Sequence, residues 1–187
     1  MLDWDELVKE CANCMKCELG RTRRNIVIER GARNAPLMFV GEGPGQQEDE
    51  QGRPFVGRAG QLLDLLLEGL MFGEDEYYIC NIVKCRPPEN RTPLDSEAES
   101  CLPFLRNQVA LVRPKILVCL GATAMKYMID KEARISQIRG QWTQRKGFWM
   151  MPTFHPAALL RDESKKVLMF EDMKKVRLKL DELQEKS

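Results

Sequence analysis

Arg113-Pro-Lys-Ile-Leu-Val-Cys-Leu-Gly121 is the stretch whose reading decides the fold. Its centre, Ile116–Leu120, is apolar at every position, the mark of a strand buried on both faces. Arg113-Pro-Lys marks the entry and Gly121 the exit. Three further apolar runs, at 37–40, 77–80 and 149–151, have the same length and bounding, the last with Pro152 just beyond it. Between them lie helical patterns at 59–70, 94–112 and 122–129. A short amphipathic helix with an acidic first turn is expected over 3–11. A last helix, about 164–183, is charged on one face and apolar at Val167, Phe170, Met173 and Val176. Strand alternating with helix implies a parallel sheet covered on both sides. The expected fold is a three-layer α/β/α sandwich around a central, mainly parallel four-stranded sheet. One domain should span 1–187.

Composition sets the class. Of 187 residues, 43% are apolar and 30% charged, as in a soluble globular protein with a real core. No stretch nears the roughly 20 apolar residues of a membrane span, and no cleavable signal precedes Trp4, so a cytoplasmic protein is expected. The net charge of +1 points to no partner by itself. Local basic groups do stand out: Arg21, Arg23 and Arg24; Lys84, Arg86 and Arg91; Arg161, Lys165 and Lys166. Each could be plain solvated charge or part of a nucleic-acid surface.

The residues just past each strand matter, because ligands of open parallel sheets bind outside the carboxyl ends of the strands. After the first run comes Gly41-Glu-Gly-Pro-Gly45, a glycine-rich turn that lets backbone N–H groups approach a ligand. It is neither a Walker A loop nor a G-x-G-x-x-G dinucleotide turn, so no nucleotide cofactor is expected. A tight structural turn would read the same. After the second run stands Asn81, whose amide can donate and accept together, as a nucleobase edge requires, or can simply form a turn. After the fourth comes His155, the sole histidine, held before Pro156 in extended or turn geometry. Phe55, in Gly52-Arg-Pro-Phe-Val-Gly57, is either a core plug or a stacking platform for a base.

Seven cysteines, an odd number in a chain without secretory marks, argue for metal ligation or burial rather than disulfides. Cys14-x2-Cys17 with the distant Cys85 and Cys101 suits tetrahedral zinc or an iron–sulfur cluster, and spacing does not choose between them. Cys11 makes a second Cys-x-x-Cys with Cys14, so the register stays open by one step. Cys80 and Cys119, inside apolar runs, read as buried small hydrophobes.

Taken in series, Gly41-Glu-Gly-Pro-Gly45 with Glu48-Asp49, Pro54-Phe-Val-Gly57, Asn81-Ile-Val-Lys-Cys-Arg-Pro-Pro88 with Asn90-Arg91, and His155-Pro-Ala-Ala-Leu-Leu-Arg161 resemble the family 4 uracil-DNA glycosylases. The resemblance runs from Cys14 to about Leu180. It implies an α/β/α sandwich carrying a 4Fe-4S cluster on Cys14, Cys17, Cys85 and Cys101, which excludes Cys11. It implies that the Gly41, Glu42 and Gly43 turn and Phe55 hold a flipped uracil, that Asn81 reads its polar edge, and that His155 faces its O2. Leu159 matches the residue that wedges into the duplex, and Arg161 could then hold a phosphate.

The physics of these roles agrees. A base inside a duplex must be extruded at a cost of a few kcal/mol. A dissociative path then collects charge on uracil O2, where His155 and a backbone N–H act as an oxyanion hole does. The best-known uracil glycosylases have an aspartate where this chain has Gly43. Glu42 beside it either positions the water, braces Asn81 or is merely structural. The cluster is expected to act as a staple, and the loop carrying Lys84, Arg86 and Arg91 as a surface for the DNA backbone. The expected partner is uracil-containing DNA, single- or double-stranded, met by a monomer with no membrane contact. Two other readings are a DNA-binding module without catalysis and an electron-transfer protein. The first predicts no release of free uracil, and the second gives no reason for a histidine and an asparagine to share one rim.

Overall fold

A computed structural model describes residues 1–145 and 147–186. In chain order it comprises α1 (Trp4–Ala12), α2 (Leu19–Thr22), β1 (Arg30–Gly31), β2 (Leu37–Gly41), α3 (Gln46–Gln51), α4 (Arg58–Gly69) and β3 (Tyr77–Asn81). A 3-10 turn at Pro88–Asn90 leads to α5 (Asp95–Val112), β4 (Ile116–Leu120), α6 (Ala122–Met128) and α7 (Ile135–Ile138). The chain continues with β5 (Thr143–Arg145), β6 (Phe148–Thr153), α8 (Pro156–Arg161) and α9 (Lys165–Glu185). Helix α1 starts where the acidic turn predicts: Asp3 accepts the Glu6 N–H and Glu6 accepts the Asp3 N–H, a capping box.

The strands form one sheet in the order β1-β3-β2-β4-β6-β5. The four apolar runs are its parallel centre, in register from Leu37↔Tyr77 to Gly41↔Asn81 and from Ile116↔Trp149 to Leu120↔Thr153. The expectation of four strands is corrected to six. Strands β1 and β5 add antiparallel edges of two and three residues, and β5 is exposed throughout. Such short, half-solvated pieces carry no periodicity to read. Strand β6 also runs through Pro152, which pairs with Cys119. The proline is tolerated because β5 covers β6 only as far as Met150, so no neighbour needs the missing N–H.

Alternation along the strands builds two cores. Met38, Val40, Tyr78, Cys80, Leu117 and Cys119 face one side, where Leu7 of α1, Leu105 of α5 and Met125 of α6 cover them. Leu37, Phe39, Ile79, Ile116, Val118 and Leu120 face the other, under Leu63 of α4, Leu159 of α8 and Met173 of α9. Cys80 and Cys119 are fully buried in the first core, as their place in apolar runs predicts.

One buried ion pair ties α9 to the strand that leads to His155. Asp172 is fully buried; it accepts from Arg139 Nε at 3.0 Å and Nη2 at 2.7 Å, and from the Thr153 hydroxyl at 2.7 Å. Burial raises its carboxyl pKa, against the pull of Thr153 and Arg139. Asp172→Ala leaves the guanidinium without its partner and should cost about 3–5 kcal/mol. Urea unfolding should show a lower midpoint at unchanged slope, and a loss below about 1 kcal/mol would mean the pair behaves like a surface one.

Candidate active site

From β2 the chain crosses to β3 on one side of it, then returns through α5 to β4 on the other. The order therefore reverses between β2 and β4, and open α/β sheets bind ligands in the crevice at that point. A cavity of about 710 Å³ lies there, lined among others by Glu42, Gly43, Phe55, Asn81, Thr123 and His155. Asn81 and His155, far apart in the chain, thus share one pocket.

Asn81 ends β3 opposite Gly41 and is 2% exposed. Its Oδ1 is buried and has no hydrogen-bond partner among the described residues. An unpaired buried oxygen costs about 1–3 kcal/mol, so such atoms usually mark a place where something else binds. Gly41 makes room for it: a Cβ there would lie 2.4 Å from Asn81 Oδ1 and 2.6 Å from Phe55 Cζ.

Phe55 adopts a left-handed φ of 55°, unfavourable for a bulky residue, and is held in it from several directions. Arg30 Nη1 donates to its carbonyl at 2.9 Å. Glu48 Oε1 accepts the next two backbone N–H groups, of Val56 and Gly57, at 2.9 and 2.7 Å. Gly60 lies so close that a Cβ would sit 2.0 Å from the Phe55 carbonyl oxygen. The ring stacks on the His155 imidazole with centroids 5.5 Å apart and planes 29° apart.

His155 Nδ1 accepts the Ala157 N–H at 3.1 Å, closing the first turn of α8. The neutral ring must then carry its proton on Nε2. Burial, with a smaller push from Arg161, lowers its pKa to about 4. Across the crevice the Thr123 hydroxyl donates to Glu42 Oε2 in a short hydrogen bond. Thr123 sits in α6, which follows β4, so this contact bridges the two strands flanking the reversal. Sequence reasoning misses Arg30, Glu48 and Thr123 as parts of the site. Glu48 alone stands within a recognisable motif; Arg30 in β1 and Thr123 in α6 reach Phe55 and Glu42 from distant parts of the chain.

Burial corrects two of the expected DNA contacts, Leu159 and Lys84. Leu159 is fully buried between α8 and the second core, so it cannot reach a duplex as it stands; the exposed apolar residue of that turn is Leu160, at 43%. Lys84, expected in a surface patch, is 1% exposed. Arg91 lines the crevice but is held bidentate by Glu97, at 2.8 Å through both nitrogens. Arg86 Nε donates to Asn90 Oδ1 at 2.7 Å. Arg161 lines the crevice and is exposed, with Lys165 also on its wall.

Cys14, Cys17, Cys85 and Cys101 line one small pocket together with Lys84, Phe104 and Gly20. Cys11 does not line it and is fully buried on the inner face of α1. All seven thiols are free. Among the described residues no group of three or more His, Cys, Asp or Glu side chains closes around a single ion. Arg23 reaches into this region: its Nη1 donates to Cys85 Sγ at 3.2 Å and to the Cys14 carbonyl at 2.9 Å, and Nη2 to the Ala12 carbonyl at 2.7 Å. Close approach of the chain is allowed by Gly20, where a Cβ would lie 2.8 Å from the Cys14 carbonyl oxygen.

The crevice at the strand-order reversal thus gathers an unpaired amide oxygen and a neutral imidazole in one site, and the chain falls in a known class. The Uracil DNA glycosylase superfamily model matches residues 28–180. Within that class, the chain is 43% identical to a Type-4 uracil-DNA glycosylase of Thermotoga maritima over 92% of both chains. It is 40% identical to one of Sulfurisphaera tokodaii, over 92% of this chain and 83% of the other. A third, from Saccharolobus solfataricus, is 37% identical over 92% and 84%. The chain belongs to the type-4 uracil-DNA glycosylases of this superfamily.

The pH response of the site is set by His155. An unfolded imidazole binds its proton near pH 6.5, the folded one only near pH 4. Below about 6.5 the unfolded state therefore holds more protons, and the stability tied to a neutral His155 declines as pH falls, down to about 4. Catalytic function needing the neutral ring should likewise persist to about pH 4. As the only imidazole, it gives a single NMR titration, and a midpoint near 6.5 would contradict the neutral assignment.

Proposed function

We propose that this chain is a uracil-DNA glycosylase that extrudes uracil from DNA, hydrolyses its N-glycosidic bond and leaves an abasic site for base excision repair. The observation that carries this reading is the unpaired, buried Oδ1 of Asn81 in one crevice with the Nε2–H of a neutral His155. As oriented, that oxygen matches the N3–H of uracil. Cytosine presents a lone pair at N3 and would leave the oxygen unpaired. A site built on such hydrogen bonds discriminates by about 10⁴–10⁵. Phe55 supplies a flat apolar face against the base.

In the bond-breaking step the C1′–N1 bond opens and its electron pair passes to uracil, where O2 takes much of the charge. His155 donates Nε2–H to that oxygen without giving up its proton, the role of an oxyanion-hole donor. A neutral imidazole suits this, since the Ala157 N–H occupies Nδ1 and fixes the tautomer. Water then bonds to C1′ and loses a proton, which neutralises the released uracil anion. We assign to Glu42, held by the Thr123 hydroxyl, the role of orienting that water. Gly43 cannot serve. Arg58 and Arg161 are exposed crevice cations available to the DNA backbone, Lys165 beside them is paired with Asp162, and Leu160 is the exposed apolar residue next to Arg161.

The residues around the four shared thiols fit a 4Fe-4S cluster. Four thiolates about such a core carry net negative charge, and Arg23 already donates to one of the sulfurs. Cys14 and Cys17 with Cys85 and Cys101 would hold it, and its chemistry here is to tie the N-terminal segment to α5 and the loop after β3. Hydrolysis moves no electrons.

Purified chain given uracil- and thymine-containing duplexes should release uracil alone, seen as alkali-labile strands. No release from the uracil duplex would refute the assignment. His155→Ala should lower single-turnover excision by about 10²–10³. Glu42→Gln should also slow it, and full activity in that variant would remove Glu42 from the mechanism. Arg161→Ala should weaken DNA binding for all sequences and reduce the salt slope by about 1. Iron near four per chain with absorbance near ~400 nm would identify the cluster; zinc would contradict it.

A further inference from the structure

Lys84 is among the most deeply buried charged side chains of the molecule, at 1% exposure. Its Nζ donates to the backbone carbonyl of Asn81 at 2.5 Å. No carboxylate among the described residues pairs with it. A buried ammonium without a counter-charge is strongly unfavourable, so a negative group must stand nearby. Thiols lie beside Lys84: it lines the pocket shared by Cys14, Cys17, Cys85 and Cys101, and its positive charge favours the thiolate form of Cys11, Cys80 and Cys101 against the effect of burial.

The backbone between the two sites is firmly held. Ile82 N–H donates to the Gly41 carbonyl at 2.9 Å and Val83 N–H to the Glu42 carbonyl at 3.1 Å. The Lys84 carbonyl accepts Val27 N–H at 2.8 Å, and Cys85 comes directly after. One short segment, 81–85, therefore joins the amide that faces the base to a thiol of the cysteine pocket. The Lys84 ammonium holds one end of that segment, and Lys84 also lines the cysteine pocket at the other.

We propose that Lys84 is a positioning residue that couples the cysteine-held anionic cluster to uracil recognition: the cluster's charge keeps the ammonium buried, and the ammonium holds the Asn81 carbonyl so that its side chain meets the base. The inference rests on the glycosylase reading and on the cluster assignment above. Without the cluster the ammonium loses its counter-charge and withdraws toward water, and the end of β3 is freed. Uracil in the crevice in turn steadies Asn81, and through Lys84 the cluster, because coupling between two sites is reciprocal.

The test uses the iron-loaded full chain and Lys84→Met, which keeps the length and apolar stem but lacks the charge. Free uracil binding is measured by calorimetry, and cluster loss by the decay of visible absorbance under a chelator. Lys84→Met should bind uracil about 10-fold more weakly, the loss of one charge-assisted hydrogen bond. Added to Asn81→Ala it should cost nothing further, because it acts through that residue. Saturating uracil should slow cluster decay in the unsubstituted chain and leave it unchanged in Lys84→Met. Uracil binding equal to the parent, or full additivity with Asn81→Ala, overturns the proposal. If Lys84→Met does not fold, the unsubstituted chain decides: cluster decay indifferent to uracil overturns it, and slowed decay supports it. A chain that excises uracil yet shows no coupling sinks this inference alone, whereas one that excises none sinks the reading beneath it.

Discussion

β2 hydrogen-bonds to β3 along one edge and to β4 along the other, and that double pairing is what the site rests on. Register sets Gly41 opposite Asn81, so the turn that opens after β2 and the amide that ends β3 arrive at the same height. On the other edge, β4 delivers Gly121 and Thr123, and β6 beyond it delivers His155. Gly121, at a φ of 92°, permits this last approach; a Cβ would lie 2.9 Å from the His155 Cβ. Four strand ends, each carrying one or two polar groups, converge because parallel strands all finish on the same side of the sheet.

The apolar interior and the polar site have opposite requirements, and the molecule separates them by layer. Two cores, one on each face, bury strands that carry almost no polar side chain. Among the buried polar side chains Asp49, Glu97, Gln108 and Asp172 lie in helices, whereas at the end of β3 Asn81 Oδ1 remains unpaired and, just beyond it, Lys84 lies beside the cysteine pocket with no carboxylate partner among the described residues. Both would be liabilities in an isolated fold. Each becomes intelligible once a base fills the crevice and an anionic cluster fills the cysteine pocket.

Much of this is readable from the chain. The four parallel strands and their helices are legible in apolar runs bounded by Pro and Gly, and the strand–helix alternation puts Asn81 and His155 on one rim. Other features are not. Strands β1 and β5 are too short and too exposed to carry a pattern. Arg30, Glu48 and Thr123 hold Phe55 and Glu42 through contacts between residues 25, 8 and 81 positions apart, which no local period can report. Charge and motif position mislead about burial at two places: Lys84 is inside, and in Leu159-Leu160 it is the second leucine that faces solvent.

By itself the sequence determined the layered architecture, the family and the set of residue types gathered at the strand ends, because periodicity and motif order are properties of the chain alone. Only the tertiary structure decided which of those groups are paired, which are left open for a ligand, and which charges are buried. Pairing and burial depend on what packs around a side chain. Lys84 and His155 find their hydrogen-bond partners close by, at Asn81 and Ala157, but the groups that pack around them and around Asn81, such as Phe55, Gly41 and Cys101, come from distant parts of the chain.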